Sequence, residues 1–224
     1  MNSTQRGILY GMAIGDGSVH KVTQGNCVLQ FSHSDKQKEY IELKAKKINS
    51  ILGGKQNSVN WYTSKTPSGE VHYGKYGKAH KYFNQMRRVL YPYGKKTYTR
   101  KMLDYLNPEG IAYWYMDDGG LSKKFTRSKT TDEITSCSCE MRISTYCSEE
   151  EIDTIIQYFQ EVWKIQGKKR LSKKHGTYYL AFNTKESKKL ELLIKPYVIE
   201  SMYYKLPSNW ITRAQDTHVG DDIV

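Results

Sequence analysis

Leu9-Tyr10-Gly11-Met12-Ala13-Ile14-Gly15-Asp16-Gly17 is echoed later in the chain by Ile111-Ala112-Tyr113-Trp114-Tyr115-Met116-Asp117-Asp118-Gly119. Each stretch is a run of apolar and small residues that reads as a buried helix, and each ends in an acid followed by glycine. Carboxylates are rarely buried without a partner, so an acid at the end of so dry a helix needs a physical reason. Gly17 and Gly119 are expected to take a left-handed or tight-turn conformation and stop their helices. Each acid then stands at a helix carboxyl end, where the dipole gives it no help. A positive group is expected nearby. Mg²⁺, which prefers oxygen ligands and often takes only one or two from protein, meets that need.

Working outward, the order of elements repeats. Residues 3–15 read as the first helix, with Gly11 and Gly15 spaced for close helix contact. Residues 18–22 and 27–32 read as strands. Ser34 with Gln37 suggests a capping box opening a helix whose apolar face is Ile41, Ala45, Ile48 and Leu52, with Lys36, Lys38, Lys44, Lys46 and Lys47 decorating the rest. A hairpin is expected from 57–64 and 70–76 around Thr66-Pro67-Ser68-Gly69, then a helix over 78–90. In the second half, strands are expected over 120–124 and 141–146, joined by a polar segment, 125–135. Ser148 and Glu151 form a capping box for a helix with Ile152, Ile155, Ile156, Phe159 and Trp163 inward. A hairpin around His175-Gly176 follows, and Asn183 or Thr184 caps a last helix ending near Pro196.

The expected fold class is therefore α+β, a pseudo-twofold duplication of αββαββα halves with two antiparallel four-stranded sheets. The halves are placed at 1–92 and 104–207, joined by a linker, 93–103, and followed by a tail, 208–224, whose end is expected to fray. One face of each sheet is expected under helices and the other open. Polar residues expected on the open, saddle-like faces are Gln30, Ser32, Asn60, Tyr62, His72, Lys75, Arg142, Ser144, Lys173 and Tyr178. Strand residues of this kind can read a DNA major groove; the plainer reading is a solvated sheet face.

Charge supports the first reading. The 224 residues carry 35 Lys and Arg against 23 Asp and Glu, a net +12, together with 19 tyrosines that can stack or reach phosphates. Such a chain suits a polyanion, nucleic acid before anionic membrane. No apolar run of membrane-spanning length occurs. Residues 1–6 are too short and polar for a signal sequence. Cys27, Cys137, Cys139 and Cys147 lack zinc-finger spacing, and reduced thiols in an intracellular protein are expected.

Asp16 and Asp118 lie 102 residues apart, one per half. Two carboxylates held close repel unless cations lie between them. Two metals about 4 Å apart activate an attacking water and stabilise a leaving oxygen in phosphodiester hydrolysis. The alternative is a pair of solvated turns. Asp117 points about 100° away from Asp118 on a helix, and the shared Asp-Gly ending favours Asp118 as the ligand. Lys96 and Lys205 occupy comparable late positions in the two halves, where a lysine can stabilise developing charge or help activate water.

The motifs resemble those of the LAGLIDADG homing endonucleases, in the single-chain form with two motifs. The resemblance rests on both nonamers, on Lys95-Lys96-Thr97 and on Tyr204-Lys205-Leu206-Pro207, and covers nearly the whole chain. It implies paired motif helices at the pseudo-twofold interface, a sheet along each DNA half-site, and a monomer. The implied activity is Mg²⁺-dependent cleavage of both strands of a long double-stranded DNA target across the minor groove, leaving 3′ overhangs. Mn²⁺ is expected to substitute, and Ca²⁺ to bind without efficient cleavage. The implied metal ligands are Asp16 and Asp118, and the implied active-site lysines are Lys96 and Lys205. Two departures stand out. Tyr113 and Asp117 fall where the family favours small residues, so Gly11 and Gly15 must make room, and Ile14 replaces a frequent acid. Kindred alternatives are an intron RNA maturase and a DNA-binding regulator on an inactive scaffold, but neither would need both acids. A bacterial or phage-infected cytoplasm, or an organelle matrix, is the expected setting.

Overall fold

A computed structural model describes residues 1–66, 69–128, 130–131 and 134–208. Among them the chain forms α1 (Ser3–Ile14), β1 (Ser18–His20), β2 (Val28–Ser34), α2 (Lys38–Leu52), β3 (Asn60–Thr66), β4 (Gly69–Ala79) and α3 (Tyr82–Leu90). Then follow α4 (Arg100–Leu103), α5 (Pro108–Asp118), β5 (Gly119–Arg127), β6 (Ile134–Cys147), α6 (Glu149–Trp163), β7 (Lys168–Ser172), β8 (Thr177–Phe182) and α7 (Thr184–Ile194). The repeated order of helix, two strands, helix, two strands, helix is the expected one. The chain divides into two compact units, one of Met1–Thr97 with Asp104–Asp117, the other of Tyr98–Leu103 with the chain from Asp118 onward.

The first unit holds an antiparallel sheet in the order β1-β2-β4-β3. Strand periodicity turns Leu29, Phe31 and Tyr76 inward, where they are buried with Ile41, Ile48, Phe83, Met86 and Leu90 from the helices. Burying such side chains contributes about 1.5–3 kcal/mol each, which fixes which sheet face is dry. The second unit repeats the arrangement in the order β5-β6-β8-β7. There Met141, Ile143, Leu180 and Phe182 are buried with Ile152, Ile155, Phe159, Leu190 and Ile194. The Ser148 capping box on α6 is present, with Ser148 accepting from the Glu151 N–H and Glu151 accepting from the Ser148 N–H.

α1 and α5 both belong to the first unit up to Asp117, and they touch through backbone. A methyl group built on Gly11 would stand 2.0 Å from the Gly110 carbonyl oxygen. The close contact therefore uses Gly110, and the bulk of Tyr113 does not hold the helices apart. Gly17 is required for space too, since its Cβ would lie 2.3 Å from the Met12 carbonyl oxygen. Neither Gly17 nor Gly119 is in the left-handed region, so the expected turn conformation is not used. Instead the Gly17 N–H bonds Met12 O at 3.1 Å, and Gly119 opens β5 directly.

Three other local expectations change. Ser34 makes no side-chain cap, because the chain first takes a 3-10 turn over Asp35–Gln37 and Gln37 turns to His33 Nδ1 at 3.0 Å. β4 runs on to Ala79, so Lys78, read as the start of a helix, is an inward strand residue. Its ammonium donates to Asn49 Oδ1, Gly53 O and Lys55 O at 2.9–3.0 Å, satisfying the end of α2. Much of the expected loop 125–135 is strand, with β5 and β6 paired out to Arg127 and Ile134. Pro67 and Ser68 of the expected turn, Lys129, Asp132 and Glu133 of the polar segment, and the tail from residue 209 lie outside the described residues. Of the cysteines, Cys27, Cys139 and Cys147 are free thiols and buried.

The tyrosines of the first unit give a test. Burial pushes the hydroxyls of Tyr10, Tyr40, Tyr76 and Tyr113 well above their ordinary range, and that of Tyr82 up to about 12. A group whose folded pKa is raised contributes stability that is intact below its unfolded pKa of about 10 and is lost as pH climbs above it. Spectrophotometric titration at alkaline pH is therefore expected to show the exposed tyrosines ionising first. The buried set should follow only in a later step that coincides with loss of helical circular dichroism. A single step near pH 10, with the fold intact, would contradict this burial.

Candidate active site and nucleic-acid face

α1 ends without a polar side-chain cap, and the groups its last turn leaves over are met by Lys96. The Lys96 ammonium donates to the carbonyls of Ile14 at 3.1 Å, Gly15 at 3.0 Å and Gly17 at 2.8 Å. This is the positive group that the helix end needs, and it holds the backbone on both sides of Asp16. The Asp16 side chain stays 44% exposed.

Asp117 behaves in the opposite way. Its side chain is fully buried. Lys44, equally buried, donates to Asp117 Oδ1 at 3.0 Å and Oδ2 at 2.9 Å. The Tyr40 hydroxyl donates to Oδ1 at 2.8 Å, and the Asp16 N–H donates to Oδ2 at 3.0 Å. Burial, and then the charge of Asp117, raise the Tyr40 pKa, which keeps that hydroxyl a donor. His33 lies beside them, with Nε2 at 3.3 Å from Lys44 Nζ and Nδ1 at 3.7 Å from Asp16 Oδ2. Lys44, read as a surface lysine, is thus interior.

Asp16, His33 and Asp117 each bring one potential ligand atom within 4.8 Å of the others. The three do not suit one cation equally. An ammonium already faces both Asp117 oxygens, so a metal between them would displace Lys44. Asp16 fits better: it is a hard oxygen donor, half open to water, and Mg²⁺ keeps several waters while taking one or two carboxylates. In the second unit Asp118 is half-buried at the last residue of α5, also an oxygen donor. Lys205 is 9% exposed in the 3-10 segment Glu200–Lys205, which packs against β5.

The predicted sheet residues fall as follows. In the first unit Lys75 is paired with Ser32 on one side and Asn60 on the other, so all three share the open face. Gln30 is opposite Gly77 on that face. Tyr62 stacks on Tyr73 at 5.9 Å and lies 3.4 Å from the Ser32 hydroxyl. His72 lies on the other face, because it is an odd three positions from Lys75; its Nδ1 is 2.8 Å from Thr63 Oγ1, and it remains exposed. In the second unit Arg142 pairs with Gly120 and Ala181. The register then breaks between Ile143 and Cys147, and Tyr146 takes a φ of 47°. Around this irregularity lies a hollow of about 200 Å³ lined by Arg142, Ser144, Tyr146, His175 and Tyr179 among others. Tyr178 also lines this hollow, although it is half-buried and shares strand parity with the core residues Leu180 and Phe182, while Lys173 sits in the turn before β8. Tyr73, Tyr146 and Tyr179 were missed. Stepping two residues from Lys75 would have found Tyr73.

The model of the LAGLIDADG DNA endonuclease family matches residues 6–190. The chain belongs to that family. A probable intron-encoded DNA endonuclease of Mycosarcoma maydis is 30% identical over 112 residues, covering 47% of this chain and 68% of that protein. A RecA protein of Mycolicibacterium flavescens is 26% identical over 217 residues, covering 92% of this chain. The chain spans about half, 47%, of the length of that RecA relative. Among solved structures, the homing endonuclease I-WcaI bound to its DNA recognition sequence superposes with a TM-score of 0.74 at 21% identity, covering 92% of this chain and 86% of that one. I-SmaMI bound to an uncleaved DNA target in the presence of calcium ions gives 0.55 at 9% identity, covering 99% and 95%. The LAGLIDADG fold, with its two antiparallel four-stranded sheets, is therefore the fold of this chain.

Proposed function

We propose that this LAGLIDADG protein is a site-specific endonuclease that hydrolyses both strands of a long double-stranded DNA target with a divalent metal, Mg²⁺ foremost, leaving 3′ overhangs. The observation that carries the reading is the motif acid at the end of each motif helix, Asp16 half open to water and Asp118 half-buried. Asp16 and Asp118 would each offer a carboxylate to a divalent metal, which when bound would stabilise charge on the leaving oxygen and lower the pKa of its bound water. Lys96 keeps the Asp16 backbone in place. The open sheet faces, with Lys75 and Arg142 among tyrosines, serines and Asn60, would grip phosphates and read base edges. A net charge of +12 would steer the chain to DNA, most strongly at low salt.

The test is incubation with a randomised duplex-DNA library and Mg²⁺, with sequencing of the ends. Discrete double-strand breaks with 3′ overhangs, abolished by a chelator, are expected. Absence of cutting by folded protein that binds intron RNA would replace the reading with a maturase; binding of DNA alone would make it a regulator. Lys96→Met and Lys205→Met are expected to slow cleavage by about 10²-fold while weakening DNA binding by much less. Equal losses in rate and binding would refute a role for those lysines in the chemical step.

A further inference from the structure

We propose that Lys44 and Asp117 form a buried anchor that positions Asp16 for metal binding, an inference that rests on the nuclease reading above. Asp117 takes no part in the proposed metal site, yet its carboxylate is fully buried, as is Lys44. A buried ion pair is weak evidence of stability, since a well-packed apolar pair of like size is often as good. Its geometry shows what it does here. Lys44 faces both carboxylate oxygens, and Tyr40 takes up Oδ1. The Asp16 N–H donates to Oδ2. The carboxylate is thus clamped from α2 and in turn holds the main chain of the acid that faces solvent. Lys96 grips the same segment through the carbonyls of Ile14, Gly15 and Gly17. Asp16 is therefore fixed by an anion at its N–H and by a cation at the neighbouring carbonyls.

The space agrees with this. A methyl group on Gly15 would lie 2.4 Å from Asp117 Oδ2, so the residue before Asp16 must be small for the anchor to reach its N–H. The lysine of this clamp has no counterpart on the equivalent helix of the second unit. α6, the counterpart of α2, buries Ile152, Ile155, Tyr158 and Phe159, with no Lys or His among its buried residues. Lys44 and Asp117 are positioning residues, and they act through Asp16.

Lys44→Met leaves the shape of the site and removes the clamp. The Mg²⁺ concentration for half-maximal cleavage is expected to rise about tenfold, with metal-free DNA binding unchanged within about twofold. Independently of activity, amide hydrogen exchange by NMR is expected to accelerate at Asp16 by about tenfold or more, while Leu29 and Phe31 in the sheet keep their protection. Lys44→Arg is expected to restore both readouts in part. Acceleration at Leu29 and Phe31 equal to that at Asp16, or an unchanged Mg²⁺ requirement, would overturn the proposal and leave a pair that only stabilises. Should Lys44→Met not fold, the double variant Lys44→Met with Asp117→Asn, which strands no buried charge, carries the same expectations, and failure of both to fold would also overturn it. If the wild-type protein does not cut with Mg²⁺, the nuclease reading fails by itself, and Asp16 exchange still decides whether the anchor exists.

Discussion

Asp16→Asn is expected to lower double-strand cleavage by on the order of 10³-fold or more, equivalent to about 4 kcal/mol of lost transition-state stabilisation. Asp118→Asn is expected to do the same. The change keeps the size of the side chain and removes the charge that would hold a divalent metal. Asp16 is 44% exposed, so the fold has little to lose there. DNA binding should persist or tighten, because one negative charge facing phosphates is gone. The check is a cleavage time course on supercoiled and linear target beside a gel-shift titration. Either variant cutting both strands near the wild-type rate would refute the assignment of that acid. A loss of binding equal to the loss of cleavage would make the acid part of the DNA grip.

The second large effect concerns packing. Gly11→Ala is expected to destabilise the first unit by about 3 kcal/mol, the upper end of overpacking costs, because the new methyl meets backbone and not a side chain that can swing away. The Gly110 oxygen would lie 2.0 Å from it, and the Gly110 carbonyl carbon and Cα 2.5 Å. For a chain of this length that corresponds to a fall in Tm of roughly 6–12 °C. Gly94→Ala is the control. Its added carbon meets nothing within 4 Å, but φ is +81°, so a cost of about 1 kcal/mol from backbone conformation alone is expected. Equal melting shifts for the two variants would show that the contact between α1 and α5 is not tight.

The repeat was legible in the sequence because its parts are long and regular: two dry helices with the same ending, and two hairpins after each. Gln30 and Ser32, expected on the open face, do alternate with the buried Leu29 and Phe31 along β2. The capping box at Ser148 was equally plain. Asp16 was easy to single out because an acid ending an apolar run is an anomaly. Lys44 was not, being one of 35 basic residues. Its only signal was position: it falls four residues after Tyr40 and four before Ile48, on the stripe that is buried. The partner that allows a lysine there, Asp117, lies 73 residues away, and no local pattern links the two. His72 was misplaced because a strand read without its register can be wrong by one residue, which exchanges the faces. Lys78 was misread for a similar reason, its charged end being satisfied by carbonyls at the end of α2 that the local sequence does not reveal.

The two compact units are not consecutive stretches of chain, since residues 98–103 belong to the second and 104–117 to the first. This bears on how the protein is made on the ribosome. After Thr97 has emerged, the first unit still lacks α5, and with it Gly110 against Gly11 and the carboxylate that faces Lys44. Until Asp117 is synthesised, the Lys44 ammonium has an apolar interior prepared for it and no counter-ion. The nascent first unit should therefore remain loosely packed around α2 and become protease-resistant only in ribosome-bound chains that extend past residue 117. An exchange of halves that cut at the connecting segment would separate Lys44 from Asp117.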